Sequence, residues 1–232
     1  MKAFLLAGGK GTRLRPLTDT IPKCLVPING KPLLSYWFGL CAKYGISDVL
    51  INLHHLPDKV RKYVAENDFG LKITLSYEET LLGSGGTVKA NSDFVREEEC
   101  FFILYADNLT NVNLQKFFDF HRAKKSPLTM GLFRTDRPGA CGIAAVDQEG
   151  LVSSFVEKPK QPESDLANAG LYIASPSVLG YFPDQEFIDL GFDVLPQLAG
   201  KMYGYLVTEY LLDVGTHETY QRAQSDVKSL EF

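Results

Sequence analysis

The sequence predicts an α/β fold: a mostly parallel sheet with helices on both faces, extended in the second half by mixed or antiparallel strands. Two observations carry this. Up to about residue 126, short apolar runs alternate with helix-like segments of about a dozen residues, and parallel strands need such crossovers. After Pro127 the texture changes to short strands punctuated by turns such as "DQEG" (147–150) and the loop "KPKQPESD" (158–165).

Taken in order, "KAFLLA" (2–7) is the first strand, and the glycines after it end it. A helix is expected in "PLLSYWFGLCAKYG" (32–45), with Pro32 in its first turn and Gly45 as its stop. Its Leu33, Trp37, Cys41 and Tyr44 share one face and read as core rather than a cofactor box. Further strands are "DVLINL" (48–53), "KITLSYE" (72–78) and "CFFILYA" (100–106), with helices near 57–66, 84–95 and 113–125. The second half offers "LTMGLFR" (128–134), "GIAAVD" (142–147), "LVSSFVE" (151–157) and "AGLYIA" (169–174) as strands, then a final helix at about 216–229.

A chain of 232 residues, 45% hydrophobic and 22% charged, has the composition of an ordinary globular protein, and one domain over 1–232 is expected. Cysteines 24, 41, 100 and 141 form no C-x-x-C pair and read as reduced, mostly buried thiols of a cytoplasmic protein. "MKAFLLAGG" imitates an export signal, but its apolar core runs at once into basic glycine-rich sequence, so export is not expected. No apolar run nears the roughly 20 residues that span a bilayer, so no membrane partner is expected. His54 and His55 have no partner pattern and read as packing or surface residues.

Charge is distributed unevenly. The first thirty-one residues hold six lysines and arginines against Asp19 alone, while the whole chain has 24 basic and 28 acidic residues. Cations concentrated at one glycine-rich entrance suit a small polyanion, because glycine lets backbone N–H groups approach phosphate oxygens. A nucleic-acid surface would need a broader basic field, so nucleic acid is not expected as a partner. A dinucleotide-binding G-x-G-x-x-G would place glycine where Leu14 stands, and a Walker A loop would need G-K-[ST] where Gly9-Lys10-Gly11 stands.

The segment Gly8–Thr18 followed by Pro22, Lys23, Leu25 and Pro27 resembles the sugar-1-phosphate nucleotidyltransferases, or nucleotide-sugar pyrophosphorylases. Their hallmark is G-G-x-G-T-R-L-x-P-L-T, then P-K-x-L-x-P. Further matches follow in the family's order: "LLGSGG" (81–86), "YADN" (105–108), "VEKP" (156–159), "NAGLY" (168–172) and "LDVGT" (212–216). The resemblance spans nearly the whole chain and implies a Rossmann-like sheet, with nucleotide bound by about 1–126 and sugar phosphate by about 127–232. No room is expected after the last helix for the extra acyltransferase or β-helical domain of some relatives.

Such a reaction sets one anion against another at phosphorus, so charge neutralisation and alignment come first. The resemblance implies that Leu6, Ala7, Gly8, Gly9, Gly11 and Thr12 cradle the nucleotide. It places Arg13 on the β and γ phosphates and Lys23 on the α phosphate, these two being the catalytic cations. Asp107 and Asp213 match the metal aspartates, with Mg2+ the expected cofactor; the plainer reading of each is a cap or turn residue. Ala106 stands where the family usually has glycine, and Cys141 where it often has an aromatic residue. Glu157 and Asn168 are assigned to sugar hydroxyls, Lys158 to the sugar's phosphate and Gly142 to close contact with the ring; Glu157–Lys158 read alone is an exposed ion pair.

For the base, Glu78 lies five residues before Gly83, the family's spacing for its base-reading side chain, and Glu79 is a near rival. A carboxylate accepts from guanine N1–H and the 2-amino group together, whereas glutamine suits uracil or thymine. With "LGSGG", though with Leu81 where proline is usual, the pattern resembles guanylyltransferases acting on mannose or heptose phosphates. The expected substrates are therefore an NTP, GTP first, and a sugar 1-phosphate. UTP, dTTP or CTP as donor, a homo-oligomer, and a catalytically silent regulatory relative stay open. Loss of Arg13, Lys23 or either aspartate would favour the silent form, and all four are present.

Overall fold

The computed structural model describes every residue from Met1 to Phe232. In chain order, β1 (Lys2–Leu6) leads through the glycine loop to α1 (Leu17–Thr20), β2 (Pro27–Ile28), β3 (Lys31–Pro32), α2 (Leu33–Lys43), β4 (Asp48–Leu53) and α3 (Pro57–Ala65). Next come β5 (Lys72–Tyr77), α4 (Gly83–Ala90), β6 (Phe101–Tyr105), β7 (Asn108–Thr110), α5 (Leu114–Lys124) and β8 (Leu128–Arg134). The chain finishes with β9 (Gly142–Val146), β10 (Val152–Glu157), β11 (Leu166–Ala174), β12 (Tyr203–Leu206), β13 (Leu211–Asp213) and α6 (His217–Asp226). The predicted α/β class is the observed one. No helix is long and apolar enough to cross a membrane.

Two compact units emerge, both discontinuous in sequence. The first holds Met1–Leu81, Leu104–Val112 and Glu209–Phe232; the second holds Leu82–Ile103 and Asn113–Thr208. Strand β6 contributes its first three residues to the second unit and its last two to the first.

In the first unit β1, β4 and β5 are parallel, Phe4 standing opposite Leu50 and Leu50 opposite Thr74. Ala3, Phe4, Leu5, Val49, Leu50 and Ile51 are all buried, the near-continuous apolar run of a strand covered on both faces. A separate apolar cluster joins Leu14, Val26, Ile28, Leu33, Leu109, Val214 and Ala223. It anchors the residues around the glycine loop. Pro32 was expected inside α2; instead it pairs with Pro27 in a small hairpin whose turn residues, Asn29 (φ 47°) and Gly30 (φ 80°), are both left-handed, and α2 begins one residue later.

The mixed extension lies within the second unit. β9 pairs antiparallel with β10, β11 antiparallel with β8, and β12 parallel with β8. The helix expected over 84–95 stops at Ala90, where Asn91 Nδ2 donates to Thr87 O at 2.9 Å, and a separate turn spans Ser92–Val95. Likewise the last helix ends at Asp226 and a turn completes Val227–Ser229. None of the four cysteines is in a disulfide; burial pushes the Cys24 and Cys41 thiols up to about 12, which leaves them protonated and inert.

Candidate functional site

The loop leaves β1 under close control. Ala7 N–H and Gly8 N–H both donate to Asn52 Oδ1, at 2.7 and 3.2 Å, and Leu6 O accepts from Ala106 N–H at 3.0 Å. The N–H groups of Ala7 and Gly8 are thus already held. Gly9 lies open, with nothing within 4 Å of where a Cβ would stand. Gly11 turns the chain at φ 63°, a left-handed position that suits glycine, and its carbonyl accepts from Thr18 Oγ1 at 2.7 Å. Thr12–Leu14 then form one tight turn that buries Leu14 and leaves Arg13 exposed.

Cations and carboxylates converge beside this loop. Lys23 is buried at 7% exposure, and its ammonium donates to Asp107 Oδ2 at 2.6 Å and Asp213 Oδ1 at 3.3 Å. Arg13 Nη2 stands 3.6 Å from Asp213 Oδ2. The two aspartates meet through backbone pairing: β7 and β13 run antiparallel with Asn108 opposite Asp213, and Val214 N–H donates to Asp107 O at 2.9 Å. Trp37 Nε1 fixes β7 by donating to Asn108 O at 2.8 Å. Gly215 belongs to the same construction, since a Cβ there would stand 2.8 Å from both Arg13 Nη2 and the Asp213 carboxylate.

The electrostatics follow from burial and proximity. Burial pulls the Lys23 ammonium down, but Asp107 and Asp213 overcome it and leave the group above its ordinary value, so it is charged at neutral pH. Burial, with Asp107 alongside, raises the Asp213 carboxyl against the pull of Lys23 and Arg13. These two carboxylates hold one cation between them, and no cluster of three or more His, Cys, Asp or Glu exists that could hold a metal. Two hard oxygen donors fit magnesium, which binds through one or two carboxylates plus substrate phosphates.

Glu78 is buried at 4% exposure, and its Oε1 accepts from Asn52 Nδ2 at 3.0 Å. Both half-buried, His54 Nδ1 bonds Glu78 O at 3.0 Å and His55 Nε2 bonds Thr18 O at 2.8 Å. Asn52 was not foreseen. Its signal was an amide near the end of a strand that is apolar at Val49, Leu50, Ile51 and Leu53.

In the second unit Glu157 stands opposite Gly142 in the β9–β10 ladder. A Cβ at 142 would collide with Glu157 Oε2 and the Phe155 ring, and one at Gly191 would stand 2.6 Å from the same oxygen. Two glycines therefore enclose this carboxylate. Burial raises its pKa, Lys158 opposes the rise and Asp189 adds to it. Lys158 follows at φ 50°, its N–H bonded to Cys141 O at 3.0 Å, its ammonium 3.9 Å from Glu157 Oε1 and 5.9 Å from the centre of the Phe192 ring. The pair is more than an exposed ion pair, because the glutamate side chain is only 15% exposed.

Asn168 lies in β11 one residue from Ala167, which pairs with Ile143 beside Gly142. Its amide serves the strand's own bulge, accepting from Gly170 N–H at 3.0 Å and donating to Tyr172 Oη at 2.6 Å. Gly83, at φ 79°, has no room for a Cβ against Ile188 O, which also accepts from Gly85 and Gly86 N–H at 2.8 and 3.0 Å. Asp189 and Gly191 were also missed: Asp189 Oδ1 accepts from Gly191 and Phe192 N–H at 2.8 and 3.1 Å, capping the wide turn Leu190–Val194. An Asp two residues before a glycine was the available signal.

Comparison with known proteins gives a consistent picture. The profile of the family described as Nucleotidyl transferase matches residues 2–229. A mannose-1-phosphate guanylyltransferase of Mycobacterium tuberculosis is 33% identical over 230 residues, covering 97% of this chain and 64% of that protein. A UTP–glucose-1-phosphate uridylyltransferase of Synechocystis is 32% identical over 250 residues, covering 100% of this chain and 64% of that one. This chain thus spans 64% of the length of both relatives. Among solved structures, HddC from Yersinia pseudotuberculosis complexed with GMP-PN matches with a TM-score of 0.83 at 26% identity, over 97% of this chain and 99% of that one.

Proposed function

The chain belongs to the nucleotidyl transferase family, and on that premise we propose that it transfers a nucleoside monophosphate from an NTP to a sugar 1-phosphate. A phosphate oxygen of the sugar 1-phosphate attacks the α-phosphorus. The new P–O bond forms as the α–β bridging bond breaks, giving a nucleotide-sugar and pyrophosphate. The observation that carries the reading is the Lys23 ammonium between Asp107 and Asp213, with Arg13 at 3.6 Å from the latter, beside an open glycine loop.

Lys23, buried and held by both carboxylates, supplies fixed positive charge for the α-phosphate, where charge develops in the transition state. Arg13, exposed on its anchored turn, reaches the β and γ phosphates. Gly9 and Gly11 with Thr12 give the chain a close approach to the triphosphate. Magnesium, held by Asp107 and Asp213, would neutralise phosphate charge when bound. Glu157 takes the sugar hydroxyls between Gly142 and Gly191, with Asn168 on the neighbouring strand, and Lys158 takes the sugar's phosphate.

The donor we favour is GTP, with a mannose- or heptose-type sugar 1-phosphate, because Glu78 presents a buried carboxylate where guanine offers two adjacent donors. The Mycobacterium relative's name and the GMP-PN complex support that choice, while the Synechocystis relative's name supports a uridylyl reading. A panel of nucleoside triphosphates against sugar 1-phosphates, with magnesium and a pyrophosphate-release assay, separates them. GTP should give the highest kcat/KM by on the order of 10²-fold. Equal or better turnover of UTP, dTTP or CTP removes the guanine assignment, and no release from any pair removes the activity.

A further inference from the structure

Asn52 lies near the end of β4, 5% exposed, and uses its amide at both ends. Oδ1 accepts from the N–H groups of Ala7 (2.7 Å) and Gly8 (3.2 Å), while Nδ2 donates to Glu78 Oε1 (3.0 Å). Two backbone donors require the oxygen on the loop side, so the NH2 group must face the carboxylate. Gly8 completes the joint, since a Cβ there would stand 2.7 Å from Asn52 Nδ2. Glu78 is anchored by its own backbone, its N–H bonded to Leu53 O at 2.8 Å and its carbonyl to His54 Nδ1 at 3.0 Å.

We propose that Asn52 is a positioning residue of the nucleotide pocket, one amide that sets the start of the phosphate loop and the base-side carboxylate Glu78 as a single unit. The inference rests on the nucleotide reading above and deepens it. Alanine at 52 would leave two loop N–H groups and a carboxylate oxygen without this partner. The linkage has a consequence opposite to simple electrostatics. Removing the Glu78 charge should by Coulomb's law strengthen the binding of any anion. If Glu78 anchors Asn52, its removal instead loosens the loop and weakens even a polyphosphate that has no base. Glutamine at 78 keeps an acceptor for Asn52 Nδ2 and so keeps the loop in place.

Calorimetry with inorganic tripolyphosphate, GTP and UTP tests this on the wild type, Asn52→Ala, Glu78→Ala, Glu78→Gln and the double alanine variant, with thermal denaturation to verify folding. Tripolyphosphate binding should weaken about fivefold or more in each single alanine variant, no further in the double variant, and stay within about twofold in Glu78→Gln. Unchanged or tighter tripolyphosphate binding in Glu78→Ala, or losses that add in the double variant, overturns the proposal. Where an alanine variant does not fold, the exchange Asn52→Asp with Glu78→Gln decides, because it reverses the hydrogen bond at constant net charge. Tighter tripolyphosphate binding than in Asn52→Asp with Glu78→Met, which carries the same charge but has no donor at 78, supports the linkage, and equal binding refutes it. The base reading is judged separately by the GTP-to-UTP ratio in Glu78→Gln: an unchanged ratio refutes that reading, while the tripolyphosphate arms still decide the role of Asn52.

Discussion

Glu157 reaches its place only because residues 142 and 191 lack a Cβ, and the enclosure leaves its carboxyl above the ordinary value of 4.5, chiefly through burial. A carboxyl raised in the folded state binds more protons folded than unfolded. Its contribution to stability is therefore present below the unfolded value and lost as pH rises through the folded one. At neutral pH the ionised side chain works against the fold, a cost that the proposed sugar-binding role would account for. Glu157→Gln should accordingly raise the melting temperature at pH 7, with the gain shrinking toward pH 4, while sugar-1-phosphate turnover falls by on the order of 10²-fold. Melting curves at the two pH values and steady-state rates check both halves. A variant no more stable at pH 7 than the wild type contradicts the destabilising role given to this buried carboxylate.

Elements long enough to show a period were legible in the sequence: β1, β4, β5 and α2 lie within a residue or two of their expected ends. Three-residue strands carry no period, so β7 and β13 were invisible, although their ladder is what brings Asp107 to Asp213. Those aspartates were found through the motifs "YADN" and "LDVGT" rather than through any strand signal. The β2–β3 hairpin was missed because Pro32 also suits a helix start, and the π turn at Leu190–Val194 has no sequence period of its own. Helix α6 supports the β13 end of the ladder from the following residues. Thr216 Oγ1 accepts from Thr219 N–H at 3.2 Å while Thr219 Oγ1 accepts from Thr216 N–H at 3.1 Å, and Ala223 packs in the cluster with Leu14 and Val214. Thr216→Ala should cost about 1 kcal/mol of stability in urea titrations. A variant as stable as the wild type would show that the helix does not depend on this cap.

Over the whole chain, the polar groups gathered at the glycine loop were legible because glycine and cation chemistry is local, whereas partners that meet only in the fold, such as Asn52 with Glu78, were not. The same holds for a buried titrating group far along the chain from any motif. His121, on α5 and 5% exposed, bonds Thr129 Oγ1 through Nδ1 at 2.8 Å. Burial lowers its pKa from 6.5 to about 4, with Glu99 opposing. The folded state therefore holds the imidazole neutral where the unfolded chain would bind a proton. Between pH 6.5 and about 4 the unfolded state carries the extra proton, so stability falls as pH falls through that window. A depression of this size corresponds to about 3 kcal/mol lost by pH 4. Carboxylates titrate in the same range, so the effect is isolated by comparing the wild type with His121→Gln, which lacks the titrating ring but keeps a polar side chain. Urea midpoints measured from pH 7 to pH 4 should converge, the wild type losing about 3 kcal/mol more than the variant. Parallel curves across that range would mean that His121 is protonated in the fold as readily as in the unfolded chain.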